Sequence, residues 1–359
     1  MAEIKLMKGN EAIAYGAMLC GCDAYFGYPI TPQSEILETL TEQQPWETTG
    51  MVVLQAESET AAINMLYGAA CTGKRCMTSS SSPGISLMSE GISYIAGAEL
   101  PCLIVNVSRG GPGLGTIQPS QADYFQATKA AGHGDFHLIV LAPASVQEMH
   151  DFVALSFDLA FKYRNPVMIL VDGVVGQMME KVKLSEQRPR WTDDELLKMQ
   201  GEWALTGKSQ RERHIVTSLD LDPVGQDNFN RKLIEKYKQV RQNEVRYEEY
   251  LCDDAEYLMV AYGISARIAQ KSTELLRAEG VKVGVLRPIT LFPFPTQAVA
   301  ARVPQLKGIL SVEMSAGQMI EDIRLAVGNA LPVQHYGRMG GMIHNPTEVT
   351  EAFKGYFVK

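Results

Sequence analysis

Three polar residues whose chemistry could be combined each follow a short apolar run of the sequence. Thr31 lies in FGYPITPQSEI (26–36), Glu59 in LQAESETAAINMLYGAA (54–70) and Arg109 in SRGGPGLGT (108–116). The apolar runs before them predict β-strands, and ligands bind at the carboxyl ends of parallel strands. A hydroxyl, a carboxylate and a guanidinium at one such edge could hold an anionic substrate and move a proton. They would face one crevice if their strands are neighbours in the sheet.

Thr31 stands between Pro29 and Pro32, directly before an amphipathic helical segment. This order predicts Thr31 as the N-cap of that helix and Pro32 as its first residue. In one interpretation Thr31 is only a helix cap. In the other, the hydroxyl and the free N–H groups at the helix start also bind an anion, for which a carboxylate is the natural candidate.

Glu57 and Glu59 lie between an apolar strand-like run and an alanine-rich helical segment. Acidic residues are favoured at a helix start by the helix dipole alone. A carboxyl buried at such a junction could instead share a proton with a ring nitrogen of a ligand. The local pattern allows both interpretations.

Arg109 follows CLIVNVS (102–108), a run apolar enough for a central strand. Its guanidinium would suit bidentate binding of a carboxylate, and a structural salt bridge is the alternative. The glycines after it lack the strand–GxGxxG–helix order, and no GKS or GKT follows, so a phosphate loop is not predicted. The segment TSSSSPG (78–84) ends another predicted strand and could line the same crevice.

The segments that must position these residues alternate between helical and strand-like patterns from residue 9 to 180. The alternation predicts βα units around a doubly wound parallel sheet, an α/β fold. From 181 to 250 the sequence is highly charged and is interpreted as a surface excursion and linker with some helix. Regular α/β patterning returns from about 250 to 359, which predicts a second domain.

The composition of the 359-residue chain narrows the classes of function. Its hydrophobic content of 46% predicts a sizeable core, and the length suits two domains. A net charge of −8 disfavours nucleic acid or an anionic membrane as partner. We find no apolar stretch suited to a signal peptide or a membrane span, and therefore expect a cytoplasmic protein.

The six cysteines, at positions 20, 22, 71, 76, 102 and 252, form no CxxC pair. We interpret them as small buried thiols in a reducing compartment, and expect no iron–sulfur cluster or structural zinc on this chain. His133 and His137 are four residues apart, but Gly134 disfavours a helix that would bring them together on a metal.

Taken together, YPITPQSEI, QAESETAA, TSSSSPG and SRGGPGLGTIQPSQADYFQ followed by GHGD resemble the α subunit of 2-oxoacid:ferredoxin oxidoreductases. The sequence is most similar to the branched-chain (2-oxoisovalerate) type, with the 2-oxoglutarate and pyruvate enzymes as relatives. The resemblance covers nearly the whole chain. It implies a pyrimidine-type thiamine diphosphate-binding domain over residues 1–240, which includes the start of the charged linker 181–250. It also implies a transketolase C-terminal-like domain over 250–359.

The resemblance also implies roles for single residues. Thr31 and Arg109 match the residues that bind the substrate carboxylate. Glu59 matches the glutamate that hydrogen-bonds N1′ of the aminopyrimidine, and Glu57 is the competing assignment. The expected cofactor-binding residues are Tyr28, Pro29, Ile30, Glu59 and Ser82.

The reaction implied by the resemblance is oxidative decarboxylation of a 2-oxoacid with coenzyme A, giving acyl-CoA, carbon dioxide and reduced ferredoxin. Flavodoxin is an alternative acceptor. The sequence has no GDG…N motif for Mg²⁺ and diphosphate and no cluster cysteines, and VDGVVG (171–176) is not such a motif. The resemblance places Mg²⁺ and [4Fe-4S] clusters on β, γ and δ subunits, so this chain would hold no metal and would act only with partners. A non-catalytic structural or regulatory subunit is the alternative of another class.

Overall fold

The computed structural model describes residues 3–129, 132–207 and 212–358. The strands are β1 Ile4–Lys8, β2 Ala24–Gly27, β3 Val52–Gln55, β4 Cys76–Ser80, β5 Cys102–Ser108, β6 Ile139–Leu141, β7 Pro166–Asp172, β8 Met179–Lys183, β9 Tyr247–Tyr250, β10 Tyr257–Val260, β11 Val283–Pro288, β12 Thr290–Phe292, β13 Gly308–Glu313 and β14 Val333–Gly337. The helices are α1 Gly9–Leu19, α2 Ser34–Gln43, α3 Pro45–Thr48, α4 Glu59–Ala70, α5 Ser82–Gly97, α6 Tyr124–Thr128, α7 Val146–Tyr163, α8 Gly173–Gln177, α9 Asp193–Gln200, α10 Pro223–Asn243, α11 Gly263–Ala278, α12 Thr296–Arg302, α13 Met319–Val327 and α14 Pro346–Phe357.

The larger sheet has seven strands in the order β12-β6-β7-β5-β4-β2-β3. Strands β2 to β7 pair in parallel, and β12 pairs antiparallel with β6 at one edge. Every residue of β4, β5 and β7 is buried, as expected for parallel strands that helices cover on both faces. The predicted α/β fold with a doubly wound parallel sheet is confirmed.

The second sheet has five strands in the order β14-β13-β10-β11-β9, all parallel except β9. A separate two-stranded ribbon joins β1 to β8. Strand β12 follows β11 in the chain but lies in the first sheet, so the two sheets share this part of the chain. The division of the chain at residues 240 to 250 stays a prediction.

The charged region from 181 to 250 forms mostly helix and extended chain. Helix α10 is 21 residues long and buries Leu233, Tyr237 and Val240, which are spaced by four and three residues along one face.

All six cysteines are buried and unpaired. Among the described residues no helix combines the length and the apolar character that crossing a membrane requires.

Gln121 connects the two sheets through a buried hydrogen-bond network. Its side chain, 1% exposed, donates to the Tyr262 carbonyl at 2.9 Å and accepts from Ser265 Oγ at 2.7 Å and from the Met314 N–H at 3.0 Å. Its backbone N–H donates to the Met314 carbonyl, and its own carbonyl accepts from the Tyr262 hydroxyl. A buried polar group that loses its hydrogen-bond partner keeps its full desolvation cost, so these bonds are costly to break. They therefore hold the second sheet in one orientation relative to the first.

We therefore expect Gln121→Leu to lower the free energy of unfolding by about 3 kcal/mol, because it leaves several buried polar atoms unpaired. Thermal and chemical unfolding of the full chain, followed by circular dichroism, would measure the loss. Gln297→Leu is the matched control, since Gln297 is an exposed glutamine. Equal stability of the two variants would contradict this account of the junction.

Candidate active site

The carboxyl ends of four neighbouring strands carry the predicted site residues. In the order β5-β4-β2-β3, Arg109 follows β5, Ser82 lies just after β4, Thr31 follows β2 and Glu59 follows β3. These four strands are adjacent in the sheet, which is what the candidate residues need in order to face one crevice. This edge of the sheet is the usual place for a ligand in an α/β fold.

Arg109 is buried, at 7% exposure, and its guanidinium binds two loops. Nη1 donates to the Thr31 carbonyl at 2.9 Å and Nη2 to the Leu114 carbonyl at 3.0 Å. The Nε–H is buried without an acceptor, and Arg109 forms no ion pair with a carboxylate in the part of the chain that the structure describes. A buried guanidinium with a free donor and no ion-paired carboxylate among the described residues is suited to an anionic ligand.

The glycine segment after Arg109 forms a tight turn. The Thr116 N–H donates to the Gly110 carbonyl at 2.8 Å, and a Cβ at Gly115 would lie 1.9 Å from that carbonyl oxygen. Gly115 also has a φ of +64°, a conformation that favours glycine. Gly115 is therefore required by the shape of the loop that Arg109 holds.

The prediction that Thr31 caps helix α2 with Pro32 as its first residue is wrong. Helix α2 begins at Ser34 and Gln33 precedes it, while Thr31 is exposed in a turn. The Pro32 carbonyl is bound from outside the turn, by Asn10 Nδ2 at 2.6 Å and by Gln177 Nε2 at 2.9 Å. These long-range contacts hold the turn apart from the helix, and local sequence patterns do not report them.

Tyr28, Pro29 and Ile30 form the rest of this turn, with Pro29 exposed and the other two half-buried. The fully buried Gln33 organises the turn: its Nε2 donates to the Tyr28 carbonyl at 3.1 Å and its Oε1 accepts from Ser79 Oγ at 2.6 Å. Gln33 was not predicted as a site residue, because nothing in the sequence around it distinguishes it from a surface glutamine.

The two candidate glutamates have opposite environments. Glu59 is the first residue of α4 and is 6% exposed, and no hydrogen bond or ion pair reaches its carboxylate from the described residues. Glu57 is exposed and accepts a hydrogen bond from Ser58 Oγ at 2.7 Å. The Ser58 hydroxyl also caps α4 by accepting from the Ala61 N–H. Of the two, only Glu59 presents a buried and unpartnered carboxylate.

Gly84 leaves space around the Glu59 carboxylate. A Cβ at this position would lie 2.0 Å from Ser80 Oγ and 2.8 Å from Glu59 Oε1. The hydroxyls of Ser80 and Ser81 beside it are buried without hydrogen-bond partners among the described residues. Buried polar groups in proteins are usually paired, so this cluster is suited to a polar ligand.

A cavity of about 450 Å³ lies between the two sheets, next to the Arg109 end of the crevice. Ser82 and Arg109 contribute to its wall, together with Pro112, Met314 and Met339. Among the described residues that line it, Arg109 is the only cationic one. The cavity therefore combines the Arg109 guanidinium and the Asp123 carboxyl with walls that are otherwise apolar or neutral.

Comparison with known sequences assigns the chain to a family. Residues 15–249 match the thiamine diphosphate-binding part of pyruvate flavodoxin/ferredoxin oxidoreductases. Residues 255–349 match core domain II of pyruvate:ferredoxin oxidoreductase. The first match alone covers more than half of the chain, and the chain belongs to this family of 2-oxoacid oxidoreductases.

A similar characterised sequence is the ketoisovalerate oxidoreductase subunit VorB of Methanothermobacter thermautotrophicus. It is 51% identical over 350 residues, which cover 98% of this chain and 97% of the relative.

Among solved structures, the 2-oxoglutarate:ferredoxin oxidoreductase of Magnetococcus marinus, with 2-oxoglutarate, coenzyme A and succinyl-CoA bound, superposes with a TM-score of 0.87 at 27% identity. That match covers 99% of this chain and 65% of the other. A split-gene transketolase matches with a TM-score of 0.57 at 13% identity over 96% of this chain and 97% of the other, which supports the transketolase-like fold alone.

Arg109→Lys should release the two loops that the guanidinium holds. Lysine keeps the charge but lacks the planar fork that reaches two carbonyls at once. The loss of one charge-assisted hydrogen bond, about 1.5–3 kcal/mol, should raise hydrogen–deuterium exchange at least about tenfold in peptides covering 26–36 and 108–118. Arg188→Lys is the control, because Arg188 is exposed and paired with Asp158. Unchanged exchange in the Arg109 variant would show that other contacts hold these loops.

Proposed function

We propose that this chain is the α subunit of a multi-subunit 2-oxoacid:ferredoxin oxidoreductase. In this proposal the complex oxidatively decarboxylates 2-oxoisovalerate with coenzyme A, giving acyl-CoA, carbon dioxide and reduced ferredoxin. The observation that carries the proposal is that Glu59 and Arg109 are both buried at the same edge of the sheet. The Glu59 carboxylate has no hydrogen-bond partner among the described residues, and the Arg109 guanidinium forms no ion pair with them. The identity of 51% to a relative named as a ketoisovalerate oxidoreductase subunit supports the substrate.

The residues at this edge fit thiamine diphosphate. The Glu59 carboxylate can accept a hydrogen bond from a ring nitrogen, and the free hydroxyls of Ser80 and Ser81 can complete the polar contacts. The turn that contains Tyr28 and Ile30 lies on the neighbouring strand end and would form another wall of the site. When bound, thiamine diphosphate supplies the carbon nucleophile and accepts the electron pair that decarboxylation leaves.

Glu59 is proposed as the residue that holds a proton at N1′ of the aminopyrimidine. Glu59 is 6% exposed, and a carboxylate with little access to water interacts more strongly with a ring nitrogen than a fully exposed one does. Glu57 is exposed and hydrogen-bonded to Ser58, which supports Glu59 for this role.

Arg109 and Thr31 are proposed to bind the carboxylate of the 2-oxoacid. The guanidinium is already fixed by the Thr31 and Leu114 carbonyls, and its Nε–H has no acceptor within the described chain. A side chain held before the substrate arrives loses little conformational freedom on binding. The exposed Thr31 side chain stands next to this anchor and can add a hydroxyl contact.

The cavity beside Arg109 supports a 2-oxoacid with an apolar side chain. A second carboxylate, as in 2-oxoglutarate, would favour a second cation in the wall, and Arg109 is the only one among the described lining residues. We further propose that Mg²⁺ and the diphosphate bind to a β subunit, that [4Fe-4S] clusters lie on γ and δ subunits, and that the complex is cytoplasmic.

Glu59→Gln should lower turnover of the reconstituted complex at least about 100-fold, because an amide cannot take and return the proton. Size-exclusion chromatography should show an intact complex. Glu57→Gln is the matched control and should keep turnover within about threefold of the wild type. Wild-type rates in the Glu59 variant, or a larger loss in the Glu57 variant, would move the role away from Glu59.

Substrate preference can be measured with the same complex. We expect kcat/KM for 2-oxoisovalerate to exceed that for 2-oxoglutarate at least about tenfold, because the second carboxylate would be desolvated without a partner. Pyruvate is the third substrate to compare, since it carries one carboxylate and a smaller apolar group. A clear preference for 2-oxoglutarate or pyruvate would overturn the proposed substrate, and turnover of none of the three would favour a non-catalytic subunit.

A further inference from the structure

Asp123 stands at the usual capping position of helix α6 but does not cap it. Aspartate at this position commonly accepts from the first free N–H groups of the helix. Here no side-chain capping bond forms, and the carboxylate turns toward the neighbouring strands. Its Oδ2 accepts from Ser82 Oγ at 2.6 Å and from Asn106 Nδ2 at 2.9 Å, and the residue is 8% exposed.

Ser82 relays this contact to Arg109. Its hydroxyl oxygen accepts from the backbone N–H of Arg109 at 3.0 Å. A hydroxyl has one hydrogen to donate, and the Asp123 carboxylate at 2.6 Å is a closer acceptor for it, and a charged one when ionised, than the Arg109 carbonyl at 3.2 Å. The Ser82 oxygen is thereby oriented with its lone pairs toward the Arg109 N–H.

The second part of the chain fixes the position of Asp123. Gln318 Nε2 donates to the Ala122 carbonyl at 2.7 Å, and Gln318 Oε1 accepts from the Phe125 N–H at 2.8 Å. The Tyr124 hydroxyl donates to Asp322 Oδ2. The residues on both sides of Asp123 are therefore held by side chains at the start of helix α13.

Burial makes the charged form of Asp123 costly. Burial raises the pKa of Asp123, against the opposing effects of hydrogen bonds from Ser82 and Asn106 and of the Arg109 charge. A carboxyl with a raised folded-state pKa stabilises the fold most at a pH below its ordinary value. That contribution is lost as the pH rises through the raised value. At neutral pH the ionised Asp123 therefore lowers the stability of the fold, and such shifted carboxyls are common at functional sites.

We infer that Asp123 is a positioning residue for the substrate-binding arginine: it orients Ser82, which holds the Arg109 backbone so that the guanidinium faces the 2-oxoacid carboxylate. The inference rests on the proposed function and deepens it. It also gives the second part of the chain a role in substrate binding, because helix α13 holds the segment that carries Asp123.

Steady-state kinetics of the reconstituted complex test the inference with Asp123→Ala, Asp123→Asn and Ser82→Ala. Asp123→Ala should raise KM for 2-oxoisovalerate at least about tenfold, with kcat and the affinity for thiamine diphosphate within about threefold of the wild type. Asp123→Asn keeps an oxygen acceptor for Ser82, so KM should return to within about threefold and the melting temperature should not fall below that of the wild type. Asp135→Ala, which removes an exposed aspartate, is the control and should leave KM unchanged.

A double-mutant cycle distinguishes a relay from two separate defects. Because both residues act through Arg109, Ser82→Ala combined with Asp123→Ala should raise KM no more than the larger single effect. Multiplied effects, an unchanged KM in Asp123→Ala, or equal losses in the Asn and Ala variants would each overturn the inference.

A crystal structure of the Asp123→Ala complex separates this inference from the proposed function. If the wild-type complex turns over no 2-oxoacid, the proposed function fails, and the relay is then judged by geometry. Loss of the 3.0 Å contact between the Arg109 N–H and Ser82 Oγ, with displacement of the guanidinium, supports the relay. Retention of these contacts overturns it.

Discussion

The buried guanidinium of Arg109 is the constraint on which the crevice depends. A charge removed from water must be compensated, and here the Thr31 and Leu114 carbonyls supply part of that compensation. The same two bonds connect the turn after β2 to the glycine loop after β5, across the strand between them. The Nε–H has no acceptor within the described chain and is available to an anion.

The opposite end of the crevice also carries a buried charged side chain without a full set of partners, but there the charge is negative. Glu59 starts helix α4, whose N-terminus favours a negative group, yet its carboxylate is buried without a partner among the described residues. The space beside it exists because Gly84 has no side chain. Arg109 after β5 and Glu59 after β3 are separated by the ends of β4 and β2, so an extended ligand could contact both.

The second sheet takes part in this arrangement through residues 120 to 125. Gln121 is bound by Tyr262, Ser265 and Met314, and the residues after it are bound by Gln318 and Asp322. A site that opens at the end of the first sheet is thus oriented by contacts from the second. Substitutions in helix α13 can therefore affect the crevice although helix α13 itself supplies none of the predicted site residues.

Several elements were predictable because their signals are local. Runs such as CLIVNVS are apolar throughout, which a strand buried on both faces requires, and β5 covers that run. The position of Thr31 relative to α2 was predicted wrongly, because Asn10 and Gln177 bind the Pro32 carbonyl from distant parts of the chain. Gln33 and Asp123 were missed for the same reason, since their side-chain partners are 17 to 46 residues away.

The sequence by itself determined that a hydroxyl, a carboxylate and a guanidinium each follow a strand, because strand and helix patterns are properties of short segments. Only the tertiary structure decided that these ends meet. The order β5-β4-β2-β3 differs from the order along the chain and results from packing between distant segments. Packing also decided that Glu59 is buried and Glu57 exposed, a difference that two acids in the same short loop do not reveal through their spacing.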